Sequence, residues 1–214
     1  MRLIVLGAPG AGKGTQARRV SEIFELPHIS TGDMLRDHMR RKTEIGESVA
    51  ATMNSGGLVP DELVIALVKA RIECADCEVG FILDGFPRNI KQAEELDRYL
   101  VSVDKQLDKA VNLHVPDETI IGRMLGRVVC PKCGAMYNTN SNNPKKEGLC
   151  DTCSVKLVSR PDDNPETFAR RLRLYHDLTE PIIDFYQKQG MLITVKGEGE
   201  ANEITKQITK LITN

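Results

Sequence analysis

The sequence predicts an α/β protein in which a parallel sheet is covered by helices on both faces. Short apolar runs alternate with stretches of helical periodicity along most of the 214 residues, which is typical of successive β-α-β units. A glycine-rich turn, residues 7–15, joins the first apolar run to the first helical stretch. Two stretches, residues 30–59 and 127–163, break the alternation, so we expect them to be insertions. The core would then comprise residues 1–29, 60–126 and 164–214.

Five apolar runs are the candidate strands of this sheet. They are residues 3–6, 26–30, 81–84, 110–115 and 191–195. Helices are expected at residues 16–24, 45–54, 91–99, 117–126, 164–189 and 202–212, with two more starting after Ser30 or Thr31 and after Pro60. Ligands of such sheets bind past the carboxyl ends of the strands, so residues that follow different strands are expected at one edge.

The glycine-rich turn reads Gly-Ala-Pro-Gly-Ala-Gly-Lys-Gly-Thr from Gly7 to Thr15. Glycines allow successive backbone N–H groups to point at an anion, the next helix adds its positive N-terminus, and a lysine reaches the outer phosphates. The pattern matches G-x4-G-K-[ST] through Lys13, but Gly14 precedes the hydroxyl residue. It predicts a nucleoside triphosphate site. The alternative is a plain turn between a strand and a helix.

A second candidate anion site lies at the start of the helix that follows Ser30. Thr31 supplies a hydroxyl group there, and Arg36 supplies a guanidinium group about one turn later. The alternative is an ordinary capped helix, which these residues alone favour.

Asp84 ends an apolar run and is followed by Gly85, Phe86, Pro87 and Arg88. The end of a parallel strand would place Asp84 and Arg88 at the edge that carries the glycine-rich turn. A buried carboxylate beside a triphosphate requires a cation between them, so Asp84 is a candidate to hold Mg²⁺ directly or through water. Capping of the next helix is the alternative role.

Four of the six cysteines form two C-x-x-C pairs separated by sixteen residues. They are Cys130, Cys133, Cys150 and Cys153. Two such turns present four thiolates to a tetrahedral Zn²⁺, and a site with four protein ligands is structural. Free thiols or two disulfides are the alternatives. Cys74 and Cys77 have no second pair nearby, and we expect them to be buried thiols.

Composition excludes several classes of protein. There are 29 Lys plus Arg against 30 Asp plus Glu, so the net charge of −1 gives no general attraction to nucleic acid or membranes. Aromatic residues make up only 4% of the chain, which disfavours base-stacking surfaces. No signal-peptide core precedes the first strand, and no apolar run approaches the roughly 18 residues of a membrane span. We therefore expect a cytoplasmic protein.

Arginines flank the cysteine segment on both sides. They are Arg123, Arg127, Arg160, Arg170, Arg171 and Arg173. Any one of them is by default a solvated charge, but guanidinium groups on both sides of a mobile segment suit bidentate capture of phosphate oxygens. Asp162 and Asp163 are expected to pair with some of these arginines or to connect the segment to the body. Capping of the helix that starts at Asn164 is equally compatible with them.

Together these motifs resemble those of adenylate kinases in the long form whose lid carries four cysteines. The matching segments are GAPGAGKGT at 7–15, STGDMLR at 30–36, LDGFPR at 83–88, GR at 126–127 and RPDDN at 160–164. The resemblance extends over essentially the whole chain. It implies a P-loop kinase fold with a five-stranded parallel sheet, in which residues 30–59 close over AMP and residues 127–163 form a zinc-stabilised lid over ATP.

The resemblance also implies a reaction and a set of site residues. The reaction is reversible transfer of the terminal phosphoryl group of MgATP to AMP, giving two ADP, by a monomer. ATP would be bound by Gly10, Ala11, Gly12, Lys13, Gly14, Thr15, Arg123, Arg127 and Tyr137. AMP would be bound by Thr31, Arg36, Gly57, Leu58, Val59, Gly85, Phe86, Pro87, Arg88, Gln92, Arg160 and Arg171. The residues implied in catalysis are Lys13, Asp84, Arg88, Arg123, Arg160 and Arg171.

The sequence departs from the family pattern at two places, and two alternative functions are compatible with it. Met136 stands where the family usually has a small or β-branched residue, and residues 197–199 match the last ATP contact only loosely. A UMP or CMP kinase is the first alternative, because the same loop, carboxylate and arginines would serve any such acceptor. Thr31 favours AMP, since pyrimidine kinases tend to have alanine there. A zinc-ribbon nucleic-acid binder with a regulatory P-loop is the second alternative.

Overall fold

The core of the protein is the predicted parallel sheet of five strands. A computed structural model describes residues 1–124, 126–139, 142–160 and 164–213. In chain order the strands are β1 (Arg2–Leu6), β2 (His28–Ser30), β3 (Phe81–Asp84), β4 (Lys109–His114), β5 (Arg127–Val129), β6 (Met136–Asn138) and β7 (Leu192–Lys196). The central sheet has the order β2-β3-β1-β4-β7 with every neighbouring pair parallel. Strands β5 and β6 form a separate antiparallel pair.

Alternate side chains of each central strand pack on opposite faces of the sheet. On β1, Ile4 and Leu6 belong to one core cluster, whereas Leu3 and Val5 belong to the other. The helices that supply these clusters are α1 (Lys13–Phe24), α2 (Thr31–Arg40), α3 (Glu44–Asn54), α4 (Asp61–Ile72), α5 (Ile90–Ser102), α6 (Asp117–Met124), α7 (Pro165–Leu174), α8 (Pro181–Lys188) and α9 (Ala201–Ile212). None of the helices in the described residues is long and apolar enough to span a membrane.

The strand register places the carboxyl ends of three strands side by side. Ser30 of β2 is level with Asp84 of β3, and Asp84 is level with Val5 of β1. The glycine-rich turn, the start of α2 and the segment after Asp84 therefore leave the sheet at one edge. This edge is the one at which ligands of open α/β sheets bind.

The single long helix predicted at residues 164–189 is wrong. The structure shows α7, then a π-helical turn at Tyr175–Thr179, then α8. Pro181 begins α8 and has no N–H group with which to continue the ladder of α7. The N–H of Glu180 donates to the carbonyl of Tyr175 at 2.8 Å, which is the wider π spacing.

Both predicted insertions contain structure that lies outside the sheet. Residues 30–59 include α2 and α3, while residues 127–163 include the β5-β6 hairpin and a small cluster of buried side chains. That cluster consists of Cys130, Tyr137, Cys150 and Leu157. The boundaries assigned to the insertions remain predictions.

Candidate functional site

The glycine-rich turn wraps around the N-terminus of α1. Gly10 and Gly12 have φ angles of +88° and +98°, a region that favours glycine. A Cβ atom on Gly7 would lie 2.6 Å from the carbonyl oxygen of Leu113, so the loop also needs glycine for close packing. Helix α1 begins at Lys13, earlier than the predicted residue 16, and its first-turn N–H groups face the loop. The predicted strand, loop and helix are therefore present as an anion-binding arrangement.

Lys13 lies half-buried at the centre of this arrangement. Its Nζ donates to the carbonyl of Ala8 at 2.9 Å. Burial lowers the pKa of Lys13 to about 8; the nearby charge of Asp84 opposes this shift, and the arginines around it, Arg88 among them, add to it. The positive charges of Lys13 and the nearby arginines are thus concentrated in a region with little access to solvent. A polyanion would relieve this unfavourable charge density.

Asp84 lies at the end of β3, close to Lys13. Its Oδ2 is 3.4 Å from Nε2 of His28, which begins the neighbouring strand β2. Burial acts to raise the pKa of Asp84, but the His28 contact and the charge of Lys13 outweigh it and leave the pKa below the usual value. Asp84 is therefore an ionised, largely buried carboxylate beside the glycine loop. This is the chemistry that the sequence predicts for a residue holding Mg²⁺.

A cavity of about 640 Å³ opens beside the loop and collects most of the predicted site residues. Those that line it are Gly10, Ala11, Gly12, Lys13, Gly14, Thr15, Arg36, Asp84, Gly85, Arg88, Arg123, Arg127, Tyr137, Arg160 and Arg171. A second, smaller cavity adjoins it and shares Arg36, Arg88 and Arg171. The predicted residues that line the second cavity are Thr31, Arg36, Gly57, Leu58, Val59, Arg88, Gln92 and Arg171.

Phe86 and Pro87 differ from the other predicted residues of the second site. The side chain of Phe86 is only 2% exposed and packs in the core, and Phe86 lines neither of the two cavities. Pro87 follows a cis peptide bond and lines a third cavity next to Arg88 and Arg171.

The arginines converge on the large cavity from different elements. Arg123, near the end of α6, donates to the carbonyl of Gly197 at 2.9 Å and to that of Ala11 at 3.4 Å. Arg88 follows β3 and donates through Nε to the carbonyl of Gly85 at 2.8 Å. Residues 197–199, matched loosely from the sequence, include two glycines that line the same cavity. Asp162 and Asp163, predicted to pair with arginines, lie outside the described residues.

The two insertions meet above this cavity. Arg160 is only 10% exposed, and its Nη2 lies 3.6 Å from Oδ1 of Asp33 in α2. Arg40 of α2 donates to the carbonyl of Pro131 at 3.3 Å. The loop residue Gly14 is also covered, because a Cβ atom there would lie 2.6 Å from Cε of Met136. The cavity is thus roofed by contacts between the segments that flank it.

The second anion site is a capped helix with a buried hydroxyl group. Ser30, rather than Thr31, caps α2 by accepting from the N–H of Asp33 at 3.3 Å. Thr31 is 3% exposed and donates to the carbonyl of Gly85 at 2.9 Å, which joins the start of α2 to the segment after Asp84. Arg36 pairs with Asp33 at 2.7 Å and lines both cavities.

The four cysteines of the two C-x-x-C pairs come together. Their sulfur atoms all lie within 4.8 Å of one another, with Cys130 and Cys153 at 3.2 Å and Cys133 and Cys150 at 3.5 Å. A tetrahedral ion with sulfur ligands at about 2.3 Å would require sulfur–sulfur distances of about 3.8 Å, close to those found. The cluster can hold a metal ion.

The expectation of two buried thiols at Cys74 and Cys77 is wrong for Cys74. Cys77 is buried in a 3₁₀ turn, Ala75–Cys77, and its sulfur accepts from Arg71 at 3.0 Å. Cys74 lies just beyond the end of α4 and is exposed. Helical spacing no longer applies past the helix end, so the two side chains do not share an environment.

Tyr137 lines the cavity, but its polar end is already used inside the lid. Its hydroxyl accepts from the N–H of Asp151 at 2.9 Å and lies 3.5 Å from the sulfur of Cys150.

Two residues that the sequence did not predict, His28 and Arg18, also line the cavity. Arg18 donates to the carbonyl of Gly134 at 3.0 Å and so connects α1 to the lid. Both depend on strand register or helix packing, which no motif in the sequence encodes.

Comparison with known proteins identifies this arrangement. A family model described as adenylate kinase matches residues 5–191, most of the chain. The chain belongs to the adenylate kinase family. The adenylate kinase of Acetivibrio thermocellus is 51% identical over 208 residues, which cover 97% of this chain and 96% of that protein. The adenylate kinases of Caldicellulosiruptor saccharolyticus and Lachnospira eligens are 49% and 47% identical, each over 99% of this chain and over 99% and 100% of their own lengths.

Membership of the adenylate kinase family confirms the resemblance seen in the motifs and the prediction of a phosphotransferase. It also explains why the two candidate anion sites, at the starts of α1 and α2, open into adjoining cavities. An adenylate kinase site has to hold two nucleotides at once, and this chain has one cavity on each side of Arg88 and Arg171.

Proposed function

We propose that this chain catalyses reversible transfer of the terminal phosphoryl group of MgATP to AMP, giving two ADP. The observation that carries the proposal is the pair of adjoining cavities with Arg36, Arg88 and Arg171 at their junction. A phosphoryl group that passes between two bound nucleotides has to cross such a junction. Arginine is suited to this place because its fixed planar charge binds phosphate oxygens bidentately.

ATP occupies the larger cavity in this proposal. The N–H groups from Gly10 to Thr15 bind its phosphates at the start of α1, and Lys13 bridges toward the group that is transferred. Arg123 and Arg127 approach the same phosphates from the base of the lid. Asp84 would hold the Mg²⁺ that accompanies ATP, directly or through water, and the ion would supply neutralisation of phosphate charge.

AMP occupies the smaller cavity. Thr31, Gln92 and the backbone from Gly57 to Val59 surround the nucleotide, while Arg36, Arg88 and Arg171 bind its phosphate. Arg160 reaches over from the lid to the transferred group, since its side chain lines the larger cavity beside Asp33.

Charge, rather than proton transfer, is the main chemical difficulty in this reaction. The AMP phosphate loses its second proton near pH 6, so at neutral pH it is already an anionic nucleophile and needs no general base. Two polyanions must approach in line, and the buried cations lower the energy of that approach by preorganised electrostatic stabilisation. The contacts that roof the cavity keep out water, which would otherwise compete for the phosphoryl group.

The four-cysteine cluster holds a structural Zn²⁺ in this proposal. Four thiolates in tetrahedral reach of one point form a closed site, and the surrounding lid has few buried apolar residues of its own. The ion therefore stabilises the lid and takes no part in the chemistry.

We also propose that the enzyme acts as a monomer in the cytoplasm, where thiols stay reduced and both nucleotides are available.

A test of acceptor choice separates this proposal from a pyrimidine monophosphate kinase. MgATP is supplied with AMP, UMP, CMP or GMP, and diphosphate formation is followed by chromatography. The expected result is rapid ADP formation with AMP and little product with the others. Rapid formation of UDP or CDP with no reaction of AMP would overturn the proposal.

A further inference from the structure

The side chain of Gln92, in the smaller cavity, is held in one orientation by two neighbours. Its Oε1 accepts from the backbone N–H of Arg88 at 2.7 Å, and its Nε2 donates to Oδ1 of Asp61 at 2.7 Å. Gln92 is 2% exposed, so water offers it no substitute partners. Rotating the amide by half a turn would place Nε2 against an N–H group and Oε1 against a carboxylate. Both contacts would be repulsive, so only one orientation is allowed.

Asp61 is itself fixed in position. The same Oδ1 accepts from Nδ2 of Asn89 at 2.9 Å, and Asn89 in turn caps α5 by accepting from the N–H of Gln92 at 2.8 Å. Asp61 is the first residue of α4, so the contact connects the start of α4 to the start of α5. The acceptor that orients Gln92 is therefore part of a rigid network rather than a mobile surface charge.

An oriented amide distinguishes between purines. Each amide oxygen has two lone pairs and each amide nitrogen two hydrogens, so Gln92 keeps one acceptor and one donor position for a ligand. Adenine presents a 6-amino donor beside the N1 acceptor, whereas 6-oxopurines present an oxygen acceptor beside an N1–H donor. An amide that can rotate would serve either pattern. An amide that cannot rotate binds only the base whose donor and acceptor positions match its own.

We propose that Asp61 is a positioning residue that makes the smaller cavity selective for a 6-aminopurine over a 6-oxopurine. In this proposal Asp61 does not touch the nucleotide; together with the backbone N–H of Arg88 it prevents rotation of the Gln92 amide, which contacts the base. This inference rests on the proposed function, because it assumes that a purine nucleotide occupies the cavity lined by Gln92.

The test compares AMP with inosine monophosphate, whose base differs from adenine in its 6-oxo group and N1–H. Replacing Asp61 by Ala removes the acceptor, and the ratio of kcat/KM for AMP to that for inosine monophosphate should fall about tenfold or more, as expected for loss of one hydrogen bond to a charged group. Asp61→Asn keeps an oxygen in the Oδ1 position, so the ratio should stay near the wild-type value. This rescue would assign the effect to the acceptor rather than to the charge.

Glu62→Ala is the matched control. Glu62 is the next residue of α4, is exposed and pairs with Lys91 at 2.8 Å, so its removal changes the charge equally. Lys91 also lies 3.9 Å from Oδ2 of Asp61, but Gln92 donates to Oδ1, so the contact that orients the amide is left in place. Its ratio should be unchanged. If Asp61→Ala does not fold, Asp61→Ser gives the same test, because serine suits a helix start while its shorter side chain stops short of Gln92.

The outcomes separate this inference from the proposed function. A purely structural role for Asp61 would lower the rates with both nucleotides and leave their ratio unchanged, and that result would overturn the inference while the proposed function stands. Loss of selectivity in Asp61→Asn to the same extent as in Asp61→Ala would also overturn it. Wild-type protein that forms no ADP from AMP would overturn the proposed function and this inference together.

Discussion

Lys13 is the residue whose environment most directly ties the structure to phosphate binding. It is half-buried; burial and the nearby arginines lower its pKa, while the charge of Asp84 opposes them. The protonated form of Lys13 is therefore disfavoured in the empty site and is stabilised when phosphates enter. The energy of ATP binding is therefore coupled to the protonation of one amine.

This coupling predicts the pH dependence of ATP capture. The pKa of Lys13 is lowered to about 8 by burial, so above that pH the free enzyme loses the cation that binds phosphate. We expect kcat/KM for MgATP to fall as pH rises through about 8, while bound phosphates raise the pKa of Lys13 and hold kcat constant to higher pH. Calorimetry at about pH 8.5 in two buffers should detect proton uptake on ATP binding. Binding without proton uptake would contradict this account.

Arg123 gives a second test at the scale of one residue. Among the residues that the structure describes, its side chain donates to two carbonyl groups, those of Ala11 and Gly197, so Arg123→Ala should fold normally. Turnover should fall by about 10²-fold or more, because a cation facing the phosphates in a dry site is lost. Arg98→Ala, at an exposed arginine of α5 that pairs with Glu95, should retain wild-type turnover. Equal turnover in the two variants would remove Arg123 from the proposed mechanism.

Among the elements, the π-helical turn Tyr175–Thr179 connects several parts of the fold. Its His176 contacts Glu180 through Nδ1 at 2.8 Å and Asp117, the first residue of α6, through Nε2 at 3.0 Å. Thr179 donates to the carbonyl of Arg88 at 2.7 Å. This turn therefore links the helix before the lid and the helices after it to the segment around Arg88, which we propose binds phosphate.

The His176 contacts predict a pH-dependent stabilisation. The hydrogen bond to Glu180, partly offset by desolvation and reinforced by Asp117, raises the pKa of His176. A raised pKa in the folded state means that the stabilisation is complete below the unfolded pKa of about 6.5 and is lost as pH rises through the folded value. The Tm difference between wild type and His176→Ala should thus be larger at about pH 6 than at about pH 9. A difference that does not change with pH would show that packing, not charge, is responsible.

The lid is the element that we propose to depend on a bound metal ion. Cys150→Ser should lower the metal content below the roughly one Zn²⁺ per chain expected of the wild type and should lower the unfolding temperature of the lid. Cys74→Ser is the matched control, because this exposed thiol lies outside the cluster. Elemental analysis and calorimetry provide the measurements. Full metal content in Cys150→Ser would exclude the four-thiolate site.

At the scale of the whole molecule, most of the framework follows from simple sequence patterns. The strands of the central sheet were predicted within a few residues because buried parallel strands are apolar on both faces, as Ile82 and Leu83 illustrate. The glycine loop and the cysteine pairs were predicted because phosphates and metal ions impose fixed spacings. Sites whose ligand imposes a fixed residue spacing can therefore be predicted from a single sequence.

What the sequence did not predict depends on three-dimensional context. The break at the π-helical turn follows from Pro181, but α7 and α8 have similar periodicity and looked continuous. Strands β5 and β6 were missed because they are short and the cysteine cluster, rather than an apolar core, organises them. His28 and Asp61 act on Asp84 and Gln92 only through strand register and helix packing. No local pattern marks such partners.

We propose that one covered site transfers a phosphoryl group between two bound nucleotides. The most direct measurement supplies purified protein with Mg²⁺ and ADP alone and follows all nucleotides and free phosphate by chromatography. ATP and AMP should appear in equal amounts, without release of phosphate, until equilibrium is reached. Release of phosphate from ADP, or no conversion of ADP at all, would contradict it.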